Sequence, residues 1–455
     1  MKYRWLLFVL VVAFLSHIIF TFLTHEIWWD AGVYIGMGKF LFSAGQAGLW
    51  EHIRPPLLPV FLGFFWWLNL SPVVFGRILE FLFMLGGVYF IYSLGKSWFD
   101  SERTGVIAAL LLCFSPILFY LSFHLYTEIP AIFFVLLSLW LFNKNRFFLS
   151  GLAVGCAFLM KFPAGIFLPI LCLFLIKRWR SLLVFCAGFA AIASPFFIIS
   201  WIIYGSPLIT LLAAKDAIGR ALGCNVLRYK PWWHYFYLLI FSEIPFNALS
   251  LVGIFALFKN KVKVRYLLLA CLILPLAYLM QLHCRDYRYL ALFYPFVALL
   301  AAYSFVWLFR KVNAKVFAVF TVILTVWFAF FCINFFVGES NPPTASNYFG
   351  YLQGRPVEGE VWISNPIIAT YTDAKLNKIY YPIYDEGVSK GFVDYVSDNH
   401  NISYVFLDNC GGGLICAEND YVCKNNTQKL ITLLDNRFNR SFDFQEGRCW
   451  YRVWS

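Results

Sequence analysis

The sequence predicts an all-α polytopic membrane protein of about eleven transmembrane helices, with a small C-terminal extracytoplasmic α/β domain. Three observations predict it. The 455-residue chain is 61% hydrophobic and only 13% charged, whereas soluble proteins carry about 25% charged residues. Such a chain cannot cover its own surface with polar groups, so lipid must solvate it. Its charges are confined to short segments between apolar runs. Beyond Phe336 the composition changes abruptly, and the last 119 residues hold 14 Asp/Glu and 10 Lys/Arg.

The apolar runs fall at 5–23, 73–94, 105–122, 128–142, 147–160, 163–176, 182–203, 236–258, 266–280, 291–309 and 316–336. A helical crossing needs roughly 20 apolar residues, and each run is read as one span. Lys2 and Arg4 precede the first run, as in a signal peptide, but no small-residue cleavage site follows. It is therefore read as a retained span. Alternate connections (the N-terminus, 95–104, 143–146, 177–180, 259–265 and 310–315) hold 16 Lys/Arg. The opposite loops and adjoining residues hold ten, spread over much more sequence. The first set is cytoplasmic by the positive-inside rule. These anchors largely account for the net charge of +12, so nucleic acid is not implied.

This topology divides the chain into a transmembrane domain, 1–336, and a tail, 337–455, outside the membrane. Long outer loops fall at 24–72 and 204–235. In the tail, VWIS (361–364) and SYVFLD (403–408) read as strands. VSKGFVDYVSDNH and NTQKLITLLDNRF read as helices. The GGG at 411–413 lacks the Gly-Lys-Ser/Thr of a phosphate loop and reads as a turn. Of twelve cysteines, six lie in predicted spans as small apolar fillers. Cys410, Cys416, Cys423 and Cys449 lie in the tail and allow two disulfides in three connectivities, with zinc as the alternative. Three glycosylation sequons, at Asn401, Asn425 and Asn439, agree with an outside location.

The polar residues of the outer face cluster near the membrane entry points. EIWWDAGVYIG (26–36) supplies Glu26 and Asp30 beside Trp28, Trp29 and Tyr34, and LWEHIRPPLLP (49–59) supplies Glu51, His52 and Arg54. Glu128 sits between spans 3 and 4, and Lys161 in the MKFP hairpin between spans 5 and 6. HCRDYRYLALFYP (283–295) carries Arg285, Asp286 and Arg288 before span 10. Ionisable residues at such depths are costly and default to functional candidates. Each has a plainer reading. Arg54, Lys161 and Arg288, taken singly, fit cations snorkelling to lipid phosphates. Glu26 fits a solvated loop acid, and His124, Asp216 and Glu243 fit structural roles. The stretch 57–70, with Trp66 and Trp67, fits the membrane interface.

The order of these features resembles one family. An acid follows span 1, a basic residue precedes Pro-Pro, a second acid lies in the next outer loop, and R-x-x-R-Y precedes a late span. This resembles the C-type glycosyltransferase superfamily, particularly the branch of protein O-mannosyltransferases and bacterial lipid A aminoarabinose transferases. The resemblance covers roughly 25–310. Asp30-Ala31 stands where the family has an acidic pair, and Arg54-Pro55-Pro56 where it has Lys-Pro-Pro. Glu128 matches the acid of the second outer loop. The missing second acid weakens any role there for paired carboxylates, divalent-metal binding included.

The resemblance implies a polyprenyl-phosphate sugar donor and an inverting transfer to an acceptor hydroxyl on a lipid, glycan or protein, at the outer face of the cell membrane. Asp30 is then the general base. Arg54, Arg285 and Arg288, with Lys161, bind the donor phosphate. Glu128 orients the acceptor or a cationic partner, and Tyr34 and His52 line the substrate loop. No cofactor is called for, and a divalent metal is conceivable but not indicated. The alternatives are a lipid-linked sugar transporter or flippase, and an oligosaccharide-transferring relative. Discontinuous helices in paired positions, which would favour transport, are not seen in the sequence.

Overall fold

Helix α1 (Arg4–Leu23) shows how this chain is solvated. Leu6, Val9, Ala13 and Phe20 are buried at helical spacing, while Leu7, Val11, Leu15 and Ile19 on the opposite side are equally apolar and exposed. A helix apolar all round packs one face on protein and offers the other to lipid. The computed structural model describes residues 4–23, 27–220, 230–243, 245–282, 285–310, 346–379, 386–398, 401–410, 414, 416 and 420–455, with scattered positions from 313 to 330. Glu26, the triglycine 411–413 and most of the expected last span, 316–336, lie outside the described residues.

The helices continue as α2 (Trp29–Phe42), α3 (Leu57–Trp67), α4 (Pro72–Phe99), α5 (Glu102–Cys113), α6 (Pro116–Leu121), α7 (Glu128–Asn143), α8 (Phe147–Met160), α9 (Phe167–Leu175), α10 (Trp179–Tyr204) and α11 (Ile209–Arg220). After a short turn at His234–Tyr237 (α12) come α13 (Leu249–Lys259), α14 (Arg265–Gln281) and α15 (Tyr294–Leu308). Helices α4 and α10 are long and apolar enough to cross a bilayer, and the others are shorter. The helices agree with most of the expected spans, and two spans are broken. Span 105–122 stops at Cys113 and restarts at Pro116, where Ser115 caps α6 by accepting the Leu118 N–H at 3.3 Å. Span 236–258 is split into π, 3-10 and α segments, with Pro245 beginning the 3-10 turn. Glu243, at that break, is fully buried and accepts from Ser115 Oγ and the Ile117 N–H, a structural role as expected.

The C-terminal part is a five-stranded sheet of order β2-β1-β3-β5-β4, from β1 (Glu360–Ile363), β2 (Leu376–Lys378), β3 (Ile402–Asp408), β4 (Arg440–Glu446) and β5 (Cys449–Trp454). The first three strands are parallel, and β5 pairs antiparallel with β3 and β4. Its two faces follow the period-two rule. Val361, Ile363 and Phe406 join the core shared with the helices. Val405 and Leu407 face a second core with Val396 and Leu434 from α16 (Glu386–Asp398) and α17 (Tyr421–Arg437). Of the three connectivities open to the cysteines, the structure has Cys410–Cys449 and Cys416–Cys423.

The sheet docks on α2 and the loop that follows it. Gly48 pairs in parallel with Lys375, and α2 packs on the 3-10 turn Pro366–Thr370. Gly48 has φ +72°, and a Cβ there would stand 2.1 Å from Gly36 O, so the approach requires glycine.

Candidate active site

Two acids open helices. Asp30 lies in the first turn of α2 and Glu128 in the first turn of α7, where the helix dipole favours a negative charge. Helices α7 and α8 form a tight hairpin, so the start of one lies beside the end of the other. Lys161 is the residue at which α8 ends, and its Nζ stands 2.6 Å from Glu128 Oε1. The same ammonium lies over the Tyr289 ring, 5.0 Å from its centroid.

Asp30 receives two guanidinium groups from distant parts of the chain. Arg54 Nη1 donates to Oδ1 at 2.7 Å, and Arg288 Nη1 donates to Oδ2. Each arginine is held by another acid. The Arg54 N–H closes a turn onto Glu51 O, and its Nε donates to Glu51 Oε2 at 3.1 Å. Asp286 caps the 3-10 turn Tyr287–Leu292 by accepting the Arg288 N–H at 3.0 Å, and its other oxygen takes Arg288 Nε at 3.2 Å. The guanidinium of Arg288 also covers the Tyr126 ring. Arg54 and Arg288 keep 19% and 21% of their side-chain surface, enough for a ligand to reach them.

Burial by itself would raise the Asp30 pKa, but the charges and hydrogen bonds of Arg54 and Arg288 outweigh it and hold the carboxyl well below its usual range. Tyr34, one turn along α2, packs its ring under Arg54, whose guanidinium carbon lies 5.7 Å from the ring centroid. Its phenol is pushed up to about 12 by burial, with Arg54 opposing, so it stays protonated. Arg288 pairs with Asp30, and the next residue, Tyr289, lies under Lys161, so the two ionic groups form one site.

Other predicted residues lie elsewhere. Arg285 donates to Lys230 O at 2.7 Å and to Met280 O at 2.9 Å. The 3-10 turn beginning at Tyr287 brings Arg288, and not Arg285, to Asp30. His52 stands against Tyr204, ring centroids 5.6 Å apart. Its pKa is lowered by burial and then by Lys378, against the pull of Glu51. Trp28 packs edge-on to Tyr120 and His124, and His124 is buried with Nδ1 2.7 Å from Tyr120 O, a structural role. Among the described residues, no group of three or more His, Cys, Asp or Glu is arranged to hold a metal ion. Sequence reasoning missed the partners Tyr126, Thr127, Tyr289 and Lys378. Tyr126 and Thr127 adjoin Glu128, and Tyr289 adjoins Arg288, so proximity to charged candidates was the available signal.

Residues 53–204 match a family described as dolichyl-phosphate-mannose-protein mannosyltransferase. No curated protein matches the chain in sequence. Among solved structures, ArnT from Cupriavidus metallidurans bound to undecaprenyl phosphate is similar with TM-score 0.65 and 13% identity, over 100% of this chain and 98% of its own. The Archaeoglobus fulgidus oligosaccharyltransferase in its apo form gives TM-score 0.61 and 14% identity, over 90% and 70%. The mycobacterial arabinofuranosyltransferase AftD gives 0.59 and 13%, over 100% of this chain and 40% of its own. At these identities the likeness establishes the fold. The resemblance to the C-type glycosyltransferases is borne out, by a shared fold and by the sequence pattern at 53–204.

Proposed function

We propose that this chain is a membrane-embedded glycosyltransferase that moves a sugar from a polyprenyl-phosphate donor to an acceptor hydroxyl, by a single inverting displacement. The observation that carries the reading is the sharing of Asp30 by Arg54 and Arg288, which stand 24 and 258 residues away in sequence. A bundle that gathers a carboxylate and two partly accessible guanidiniums has the groups this reaction needs.

The acceptor oxygen attacks the anomeric carbon as the bond from that carbon to the donor phosphate breaks. The hydroxyl proton passes to Asp30, and the bonding electrons leave with the polyprenyl phosphate. Its growing charge is met by Arg54 and Arg288, whose planar donors suit phosphate oxygens. A phosphate drawing these arginines to itself also loosens their hold on Asp30, which makes the carboxylate a better base when donor is bound. Lys161 adds positive charge nearby, and Glu128 fixes Lys161. Protonated Tyr34 serves as a hydrogen-bond donor beside the base.

The test uses the purified chain in lipid nanodiscs with a sugar-labelled polyprenyl-phosphate donor and hydroxyl acceptors. Label joined to acceptor with inverted anomeric configuration, in step with free polyprenyl phosphate, is expected. Label carried across a vesicle membrane without cleavage would favour the transporter instead. The orientation proposed is an N-terminus in the cytoplasm and residues 337–455 outside the cell membrane. The 16 Lys/Arg on alternate connections and the two disulfides of the tail support it. A reporter fused at Ser455 should be active only as an extracytoplasmic fusion, and cytoplasmic activity would reverse the topology and the side of the reaction.

A further inference from the structure

A line of charges leads from Asp30 to the C-terminal sheet. Glu51 is fully buried and divides its two oxygens. Oε2 accepts from Arg54 Nε at 3.1 Å, while Oε1 lies 3.6 Å from Lys378 Nζ at the end of β2. The backbone dictates the second pairing. Gly48 and Lys375 form a parallel bridge, and parallel segments advance together, which brings Glu51 beside Lys378. The junction is fastened from α2 as well. Buried Lys39 donates to Thr372 O at 2.9 Å and pairs with Asp373 at 2.9 Å, and Trp66 Nε1 donates to the same carboxylate.

We propose that Glu51 and Lys378 are positioning residues through which the C-terminal sheet sets the donor affinity of Arg54. The inference rests on the reading of Arg54 as a phosphate ligand. A buried carboxylate must be balanced by cations. With Lys378 present, Glu51 divides its charge between two cations and holds Arg54 by Nε, leaving Nη1 directed at Asp30. Without Lys378, Glu51 draws harder on Arg54, and the donor phosphate has to compete for it. Without Glu51, Arg54 loses the anchor that limits its rotamers, and binding has to supply that ordering.

The experiment measures transfer against donor concentration with the full-length protein in nanodiscs. Lys378→Met should raise the KM for donor about 3- to 10-fold with kcat within about twofold, the pattern of lost ground-state binding. Lys378→Arg should stay near wild type, because it keeps the charge. Glu51→Gln should raise KM in the same way. Lys378 keeps 33% of its side-chain surface, so its replacement should leave the fold intact. Lys378→Gln, uncharged but polar, is the second variant, and the same shift is expected of it. In an Arg54→Gln background, Lys378→Met should add nothing further. An unchanged KM in both Lys378→Met and Lys378→Gln, or an undiminished further effect in the Arg54→Gln background, would overturn the positioning role. Wild-type donor dependence in Arg54→Gln itself would instead overturn the phosphate reading, and the inference with it.

Discussion

Asp30 in the helical part and Asp408 in the sheet are both buried aspartates, yet their surroundings drive them in opposite directions. Asp30 meets two guanidiniums, and its pKa falls despite burial. Asp408 accepts from Ser364 Oγ at 3.0 Å, Tyr348 Oη at 3.4 Å and the Cys410 N–H at 3.1 Å, all neutral donors. Burial pushes its carboxyl up to about 7, and these hydrogen bonds only moderate the rise. The charge of the partners, more than burial, decides which carboxylate stays ionised. In the mechanism we propose, an ionised carboxylate beside cations that a phosphate can draw away serves for proton transfer. A half-protonated one among hydroxyls is equipped to hold a sheet together.

The sharpest way to break this contrast is Asp30→Asn. The amide keeps the shape but cannot take the proton, and transfer should fall about 10²–10⁴-fold. Binding of polyprenyl phosphate should persist, because Arg54 and Arg288 then lack their competing carboxylate. Transfer assays and binding isotherms on the same purified variant check both halves. Near-normal transfer would remove Asp30 from the role of base.

Arg54 comes next. Losing a charge-assisted hydrogen bond costs about 1.5–3 kcal/mol, roughly tenfold to over a hundredfold in donor-dependent transfer, for Arg54→Gln. Arg54→Lys should keep part of the activity. The glutamine variant also removes a cation from Asp30, so the acid limb of its pH–rate profile should move to higher pH. Equal, wild-type-like kinetics in both variants would return Arg54 to the membrane anchors.

Most of the bundle was legible in the sequence because lipid solvation demands long apolar runs. Those runs match α1, α4, α7 to α10, α14 and α15, while two runs are broken and α2, α3 and α11 fall in segments that read as outer loops. Both breaks depend on tertiary partners, since Glu243 reaches across to cap α6 from a segment that hydropathy alone reads as continuous. The sheet was half legible. Strands β1 and β3 carry runs of apolar residues, whereas β2 has three residues and β4 is largely exposed. The hairpin joining β4 to β5 carries its signal in Gly447, at φ +57°, between polar neighbours. At the site, Asp30, Arg54, Glu128, Lys161 and Arg288 were all nameable, because ions at membrane entry points stand out against an apolar background. Their pairing was not. Nothing local separates Arg285 from Arg288 until Asp286 caps the turn between them. Lys378 has no sequence mark at all, because its place beside Glu51 follows from the bridge at Gly48.

The smallest effect on transfer is expected from Asp408→Asn, which tests the other half of the contrast. An unfolded aspartate releases its proton near pH 3.9, roughly, whereas the native Asp408 holds it to about 7. Between those values the native state binds more protons than the unfolded one, so this group favours the fold fully below about pH 4 and progressively less as pH rises towards 7. The loss amounts to up to about 4 kcal/mol. Asparagine mimics the protonated acid, since its amide can donate to the hydroxyl of Ser364 or Tyr348 while its oxygen accepts the Cys410 N–H. The variant should therefore lose this part of the pH dependence, while transfer stays within about twofold of wild type, as for a change remote from the site. Thermal unfolding midpoints at pH 5 and pH 8 read the difference. The wild-type midpoint should drop between the two, and that of the variant should drop less. An unaltered pH slope would mean that Asp408 is already ionised at pH 5, and the contrast between the two aspartates would fail.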